Sequence, residues 1–348
     1  MAPERTVLVT GVSGDLGSRL VPLLADFRVV GVDMRPPESS PGIARFVQMD
    51  LGREVSCRQM MDLLRDSGAE AVVHLAFVLD PLRTGVLDEE RMWQINVAGT
   101  ARVMEAISVV NRTGGHIGKF IFTSSISVYG PEPQGPVSED CPLQAHTLPY
   151  GIHKRESDEV VRYRAESLGA CRTYVLRPPI LTGPNMQNYM ACALRGTALG
   201  NGRMAARLRA QGKRLPLMLP RGKHYLQNRW QFAHVDDVAR LIAHLLRREK
   251  EDPPVNIFNV AGSGEVLTLQ QCVDIAQANI KRVPSRAAYR AVLKLLWRWG
   301  ISSIPPAAMP YILGSCIMDT ARLQRFLGDD YARVIQYSND AALRDNFR

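Results

Sequence analysis

Tyr150 and Lys154 stand four residues apart in the run Pro149-Tyr150-Gly151-Ile152-His153-Lys154. On a helix that spacing puts both side chains on one face. A lysine ammonium held beside a phenol favours the phenolate and draws its pKa, about 10 when free, toward working pH. Ser125 adds a hydroxyl that can orient a substrate oxygen. Such a trio moves a proton, and a nucleotide cofactor would have to move the hydride. The stretch Thr10-Gly11-Val12-Ser13-Gly14-Asp15-Leu16-Gly17 can hold one. Gly11, Gly14 and Gly17 follow an apolar β-branched run and precede a helical one, and that context lets a backbone approach a pyrophosphate at a helix N-terminus. Ser13, Asp15 and Leu16 fill the loop between these glycines. Asp33 ends the next strand at about the distance needed to accept from a ribose diol, and its charge repels a 2′-phosphate. NAD is therefore expected rather than NADP, although Arg35 and Arg19 could meet a phosphate.

These residues need a frame. Thr6–Thr10, Val29–Val32, Arg45–Met49, Ala71–Leu75, Lys119–Thr123 and Thr173–Leu176 read as buried strands. Helices fill the gaps, among them Ser18–Leu24, Val97–Val109 and Tyr150–Glu166. Such alternation predicts an α/β fold, a doubly wound Rossmann parallel sheet covered on both faces. Residues 1–180, rejoined by about 232–262, form the expected dinucleotide-binding domain. Residues 181–231 and 263–348 form a smaller, mostly helical C-terminal substrate-binding lobe. Thr268-Leu269-Gln270-Gln271 fits a capping box opening a helix to Asn279.

The 348 residues are 46% hydrophobic and 22% charged, the composition of a globular protein. Six scattered cysteines lack metal or redox spacing and suit reduced cytoplasmic thiols. A strand begins within a few residues of Met1, which leaves no room for a signal peptide. No apolar stretch reaches membrane-spanning length. The net charge of +9 is unevenly spread: Arg195–Arg229 holds nine Lys/Arg and no acid. Such a run suits an anionic ligand, an acidic membrane surface or simply a solvated flap. Nucleic acid is not expected, because no interleaved aromatics accompany it. His234, Asp236 and Asp237 read as a turn opening a helix, so no metal is expected.

Taken in order, TGVSGDLG at 10–17, Asp33, Asp50-Leu51, His74-Leu75-Ala76, Asn96-Val97-Ala98-Gly99-Thr100, Thr123-Ser124-Ser125-Ile126-Ser127-Val128-Tyr129-Gly130, Tyr150–Lys154 and Arg177-Pro178 resemble the extended short-chain dehydrogenase/reductases of the NAD-dependent epimerase/dehydratase type. The resemblance implies that Asp50 meets the adenine amino group, with Leu51 beside it. Leu75 and Ala76 would line the phosphate and ribose path, Pro178 and Pro179 would pack near the nicotinamide, and Phe77 and Thr123 would also contact the cofactor. Asn96 would support a water-linked proton relay. Ser125, rather than Ser124, would hold the substrate oxygen. Tyr150 would be the acid/base, and Lys154 would grip the nicotinamide ribose. It further implies a homodimer through the Val97 and Tyr150 helices. His74 and Tyr129 read as structural, and His153 reads as a surface or interface residue.

Two departures bear on the substrate. UDP-sugar epimerases usually carry an Asn three places after the sixth-strand Arg, where this chain has Ile180, and an Arg where it has Trp230. Phe77 also replaces a small residue. Three readings follow for the small-molecule site: nucleotide-sugar epimerisation, oxidoreduction of an apolar alcohol or ketone such as a hydroxysteroid or flavonoid, or a regulator that senses dinucleotide without chemistry. Arg286, Arg290, Lys294 and Arg298 recur every four residues among tryptophans, a pattern that also fits contact with a membrane surface; packing on the substrate lobe is the favoured reading.

Overall fold

Apolar β-branched runs pair into one seven-stranded sheet in this computed structural model, which describes residues 5–39, 41–79, 88–133, 135–184 and 186–348. The strands are β1 (Arg5–Thr10), β2 (Phe27–Asp33), β3 (Ile43–Gln48), β4 (Ala71–His74), β5 (Lys119–Thr123), β6 (Arg172–Arg177) and β7 (Val255–Asn259). They lie in the order β7-β6-β5-β4-β1-β2-β3, all parallel. The strand order reverses between β1 and β4, which opens a crevice at their C-terminal ends where such sheets bind ligands. Residues 1–4, on which the signal-peptide expectation bears, lie outside the described residues.

Alternate side chains of each strand feed opposite faces. Val7, Val9, Val29 and Val73 pack with Val238, Leu241, Ile242 and Leu245. Leu8, Val30, Val72 and Phe120 pack with Met60, Leu64, Val103, Ile107 and Val161. The helices supplying these residues are α1 (Asp15–Leu20), α2 (Val55–Ser67), α3 (Gly99–Arg112), α4 (Pro149–Arg164) and α5 (Val235–Arg247). A third cluster joins Leu148, Leu217, Leu219, Trp230, Tyr289, Leu293, Met309 and Ile312.

Local differences from the sequence expectations have physical causes. The expected Ser18–Leu24 helix is α1 followed by a 3₁₀ turn at Val21–Leu24, because Pro22 lacks the N–H that an α-helix would use. The Val97–Val109 helix begins as a π turn over Gln94–Ala98. The chain after Asn279 is not wholly helical: Ile280–Val283 pairs in parallel with Leu217–Pro220. The Thr268/Gln271 capping box is present, and its helix ends at Ala276 where Gln277 turns left-handed. The basic run lies largely on ordered elements, including helices Tyr189–Arg195 and Arg203–Ala210.

One buried ion pair ties these parts together. Arg177, at the end of β6, meets Asp158 of α4 through Nε–Oδ2 at 2.9 Å and Nη2–Oδ1 at 2.8 Å, and neither side chain has any exposure. Arg177 Nη1 also donates to the Tyr129 hydroxyl at 2.8 Å and to the Glu139 carbonyl at 3.1 Å. Tyr129 donates onward to Asn259 of β7 at 2.7 Å, the structural role its sequence context suggests. Burial pushes its phenol up to about 12, so it stays a donor. Removing one partner strands a buried charge. Arg177→Met is therefore expected to lower the unfolding free energy by about 3–5 kcal/mol in urea titration. Arg162 also touches Asp158, at 3.0 Å, but is 38% exposed, so Arg162→Ala should cost no more than ~1 kcal/mol.

Candidate active site

The glycine loop turns at the C-terminal end of β1. Gly11 has φ of +72°, and a Cβ there would lie 2.5 Å from the Ala76 amide nitrogen, so only glycine lets the loop pass so close to the strand beyond β4. A Cβ on Gly17 would meet the Gly11 carbonyl oxygen at 2.5 Å, so this glycine lets α1 pack on its own loop. Leu75 and Ala76 are fixed to β1: the Leu75 N–H donates to the Thr10 carbonyl, and that of Ala76 to the Thr10 hydroxyl at 3.3 Å. Asp33 accepts from the Ser13 amide at 3.1 Å and the Arg35 amide at 3.2 Å. A carboxylate has about four lone-pair sites, so capacity remains for a ribose diol. Arg19 bonds Asp236 at 2.8 Å and the Pro184 carbonyl at 2.6 Å, which gives this cation a structural task. Arg35 is exposed. Asp50 accepts from the Gly52 amide and pairs with Arg91, while Leu51 is buried beside it. The cradle fits a dinucleotide with a free ribose diol.

Ser125 is the N-cap of a 3₁₀ turn over Ile126–Tyr129 and accepts from the Ser127 amide at 3.1 Å. Ser124 donates instead to Asp158 at 2.6 Å, which commits it to the buried network, while the Ser125 hydroxyl lies beside Tyr150. Burial pushes the Tyr150 phenol up, and the Ser125 side chain pulls it the other way. Lys154 Nζ donates to the Thr123 carbonyl at 2.7 Å and lies 3.5 Å from the Phe77 ring centroid. Phe77 also meets the Tyr150 ring edge-on, with centroids 5.9 Å apart. The expected lowering of the phenol by Lys154 is thus not met in this arrangement, because the ammonium is engaged by Thr123 and Phe77. Pro178 and Pro179 are buried, and the Pro178 carbonyl accepts from Ile126 at 2.9 Å.

Asn96 is fully buried in the π turn. Its amide oxygen accepts from the Val78 N–H at 2.7 Å, and its amide nitrogen donates to the Val78 carbonyl at 3.1 Å. The same amide nitrogen stands 3.3 Å from His153 Nδ1. His153 is therefore not the surface or interface residue expected: it is 6% exposed and faces Asn96 from α4. His74 bridges Thr10 and Thr100, and burial lowers its pKa to about 3, so it is a neutral structural link, as expected.

Sequence reasoning missed Tyr311. Its hydroxyl donates to the Ser127 carbonyl at 3.2 Å, and the residue packs with Tyr150 and Ile180 around the third apolar cluster. No spacing motif announces it, because the contact closes across 184 residues of sequence. Beside it runs a groove of about 710 Å³, lined on one side by Tyr129–Pro133, His146 and Thr147 and on the other by Arg286, Arg290 and Lys294. Among the described residues no cluster of His, Cys, Asp and Glu could hold a metal ion.

A glycine cradle at the sheet's switch point, with Ser125, Tyr150 and Lys154 beside it, defines a Rossmann-type dinucleotide protein of the short-chain class. Residues 7–261 match the NAD dependent epimerase/dehydratase family, and the chain belongs to that family, whose cofactor is NAD. "UDP-glucose 4-epimerase 4" of Oryza sativa subsp. japonica is 33% identical over 180 residues, 47% of this chain and 46% of that protein. "UDP-glucose 4-epimerase" of Homo sapiens is 26% identical over 304 residues, covering 82% and 85%. The chain spans about half the length of the rice epimerases it matches. "MoeE5 in complex with UDP-glucuronic acid and NAD" superposes with a TM-score of 0.66 at 22% identity, covering 98% of this chain and 96% of that one, a likeness of fold.

Burial lowers the Lys154 pKa from its ordinary 10.5 to about 7, with Asp158 opposing that shift. The unfolded chain therefore binds the extra proton between these two values, and stability rises with pH across that window. The cost of burying the ammonium is full below pH 7 and gone above 10.5. Lys154→Met is expected to raise the melting temperature at pH 7, with the gain over the parent shrinking steadily toward pH 10 in a matched series of thermal scans.

Proposed function

We propose that this protein is an NAD-dependent enzyme that interconverts a substrate carbinol and ketone, in the manner of a nucleotide-sugar epimerase. What carries the reading is the meeting of Ser125, Tyr150 and Lys154 beside the glycine cradle. Bound NAD would supply the hydride acceptor at its nicotinamide. Ser125 holds the substrate oxygen. Tyr150 takes the hydroxyl proton as the carbinol C–H bond breaks, and returns a proton when the carbonyl is reduced. If the ketone presents its other face before reduction, the carbon is inverted with no net redox change. Lys154 binds the nicotinamide ribose in this reading, a role that requires Phe77 to yield part of the ammonium's face. The rice and human relatives support the nucleotide-sugar class by name.

A second reading, oxidoreduction of an apolar alcohol or ketone, is favoured by the substitutions around Tyr150. Ile180 and the 4%-exposed Trp230 join an apolar cluster where polar groups would grip a diphosphate. Arg229, one place off register, is exposed. The dinucleotide-sensing regulator is disfavoured by the complete trio. We also propose a homodimer through α3 and α4, supported by Tyr163 of α4 at 88% exposure and the nearby Trp93 at 37%. A cytoplasmic location belongs to the same reading, in keeping with six free cysteines. Among the described residues no helix is long and apolar enough to cross a membrane.

Tyr150→Phe is expected to keep NAD binding in a fluorescence titration and to lose turnover by about 10²–10⁴-fold, the range for a lost general acid/base. Unchanged turnover on any accepted substrate would overturn the mechanism. In a thermal-shift panel with NAD present, UDP-sugars should stabilise the protein while steroids leave it unmoved; the opposite pattern selects the second reading. Light scattering should report a dimer for the parent chain and a monomer for Tyr163→Glu.

A further inference from the structure

The surface of the substrate lobe carries charge and apolar exposure in one place. Gly202, which precedes the Arg203–Ala210 helix, donates its N–H to the Gly300 carbonyl at 2.8 Å. Ala205 and Leu208 of that helix pack with Leu296 and Ile301, so it lies beside the end of the Arg286–Arg298 helix. Outward from this seam Arg203, Arg207, Arg290, Lys294 and Arg298 are exposed, and among the described residues none of the five pairs with a carboxylate. Chain 275–318 contains no Asp or Glu, and neither does Arg195–Arg229. Of the eight large hydrophobic side chains most exposed on the described surface, Met204 at 50%, Leu295 at 42% and Trp299 at 58% all belong to these two helices or their caps.

We propose that this face docks on an anionic lipid bilayer. Guanidinium and ammonium groups would lie among the lipid phosphates, and Trp299, Leu295 and Met204 would enter the interfacial layer. The combination selects among polyanions. A nucleic acid duplex offers phosphates but no apolar phase for Leu295 and Met204. A second copy of this face would bring two acid-free surfaces together, a like-charge juxtaposition that opposes association. Docking in this orientation also brings the groove lined by Arg286, Arg290 and Lys294 close to the bilayer.

The test is flotation of the full chain with vesicles of phosphatidylcholine, with and without phosphatidylglycerol. The protein should float only with the phosphatidylglycerol vesicles, and less as salt rises. Each cation removed should weaken binding by about fivefold. Arg207→Glu with Arg298→Glu, and separately Leu295→Ser with Trp299→Ser, should abolish or strongly reduce flotation at unchanged melting temperature. Exposed Lys250, away from both helices, serves as control, and Lys250→Glu should float like the parent. Failure to float with either vesicle overturns the proposal. So does flotation of either double variant at the level of the parent, or displacement from the vesicles by duplex DNA at equal phosphate.

Discussion

The contact between Asp158 and Arg177 is the constraint on which the rest of this molecule depends. It costs desolvation of two charges and is tolerable because four of the five Arg177 N–H groups donate and both Asp158 oxygens accept further bonds. Those partners come from separate places: Ser124 beside Ser125, Tyr129 at the end of the 3₁₀ turn, Glu139 in the long connection, and through Tyr129 the last sheet strand. Asp158 lies one turn beyond Lys154 and two beyond Tyr150 on the same helix face. Fixing its rotation on Arg177 fixes theirs. The pair therefore acts as a reference point that aligns α4 against the ends of β5 and β6, where the chemistry is gathered.

Much of this was readable in the residues. The strands announced themselves as short β-branched runs with a glycine or an acid at their ends, and all six expected in the first 180 residues are in the sheet. The Tyr150/Lys154 spacing placed both groups on one face because a helix allows nothing else, and the bond that ties Ser124 to Asp158 is compatible with the choice of Ser125. Residues whose environment is set by distant chain were less legible. His153 sits between two site residues in sequence and looked external, yet the π turn carries Asn96 to it. Ile280–Val283 is too short and too polar to read as a strand until Leu217–Pro220 lies beside it. Phe77 was expected near the cofactor, but no spacing rule says that its ring would cover an ammonium.

The surroundings of Tyr150 separate the reaction from its substrate. The proposed proton transfer needs only the trio and a dry wall, and Phe77, Tyr311 and the third apolar cluster pack around Tyr150. The buried Trp230 indole nitrogen has no hydrogen-bond partner among the described residues, and neither does the Ser127 hydroxyl. Small-molecule pockets in general pair apolar walls with a few polar groups that set orientation.

The π turn at Gln94–Ala98 makes the α3 side of the site sensitive to chain length rather than to side-chain identity. Its wider loop directs the Asn96 carbonyl toward both the Thr100 and Ser157 hydroxyls while the side chain reaches Val78. Deleting the residue before Asn96 would restore ordinary α-helical pitch and pull Asn96 out of the widened loop that turns it to Val78. Every amino acid named here could survive such an event, yet Asn96 would face a different wall. A comparison of sequences that scored only residue identity would miss that loss.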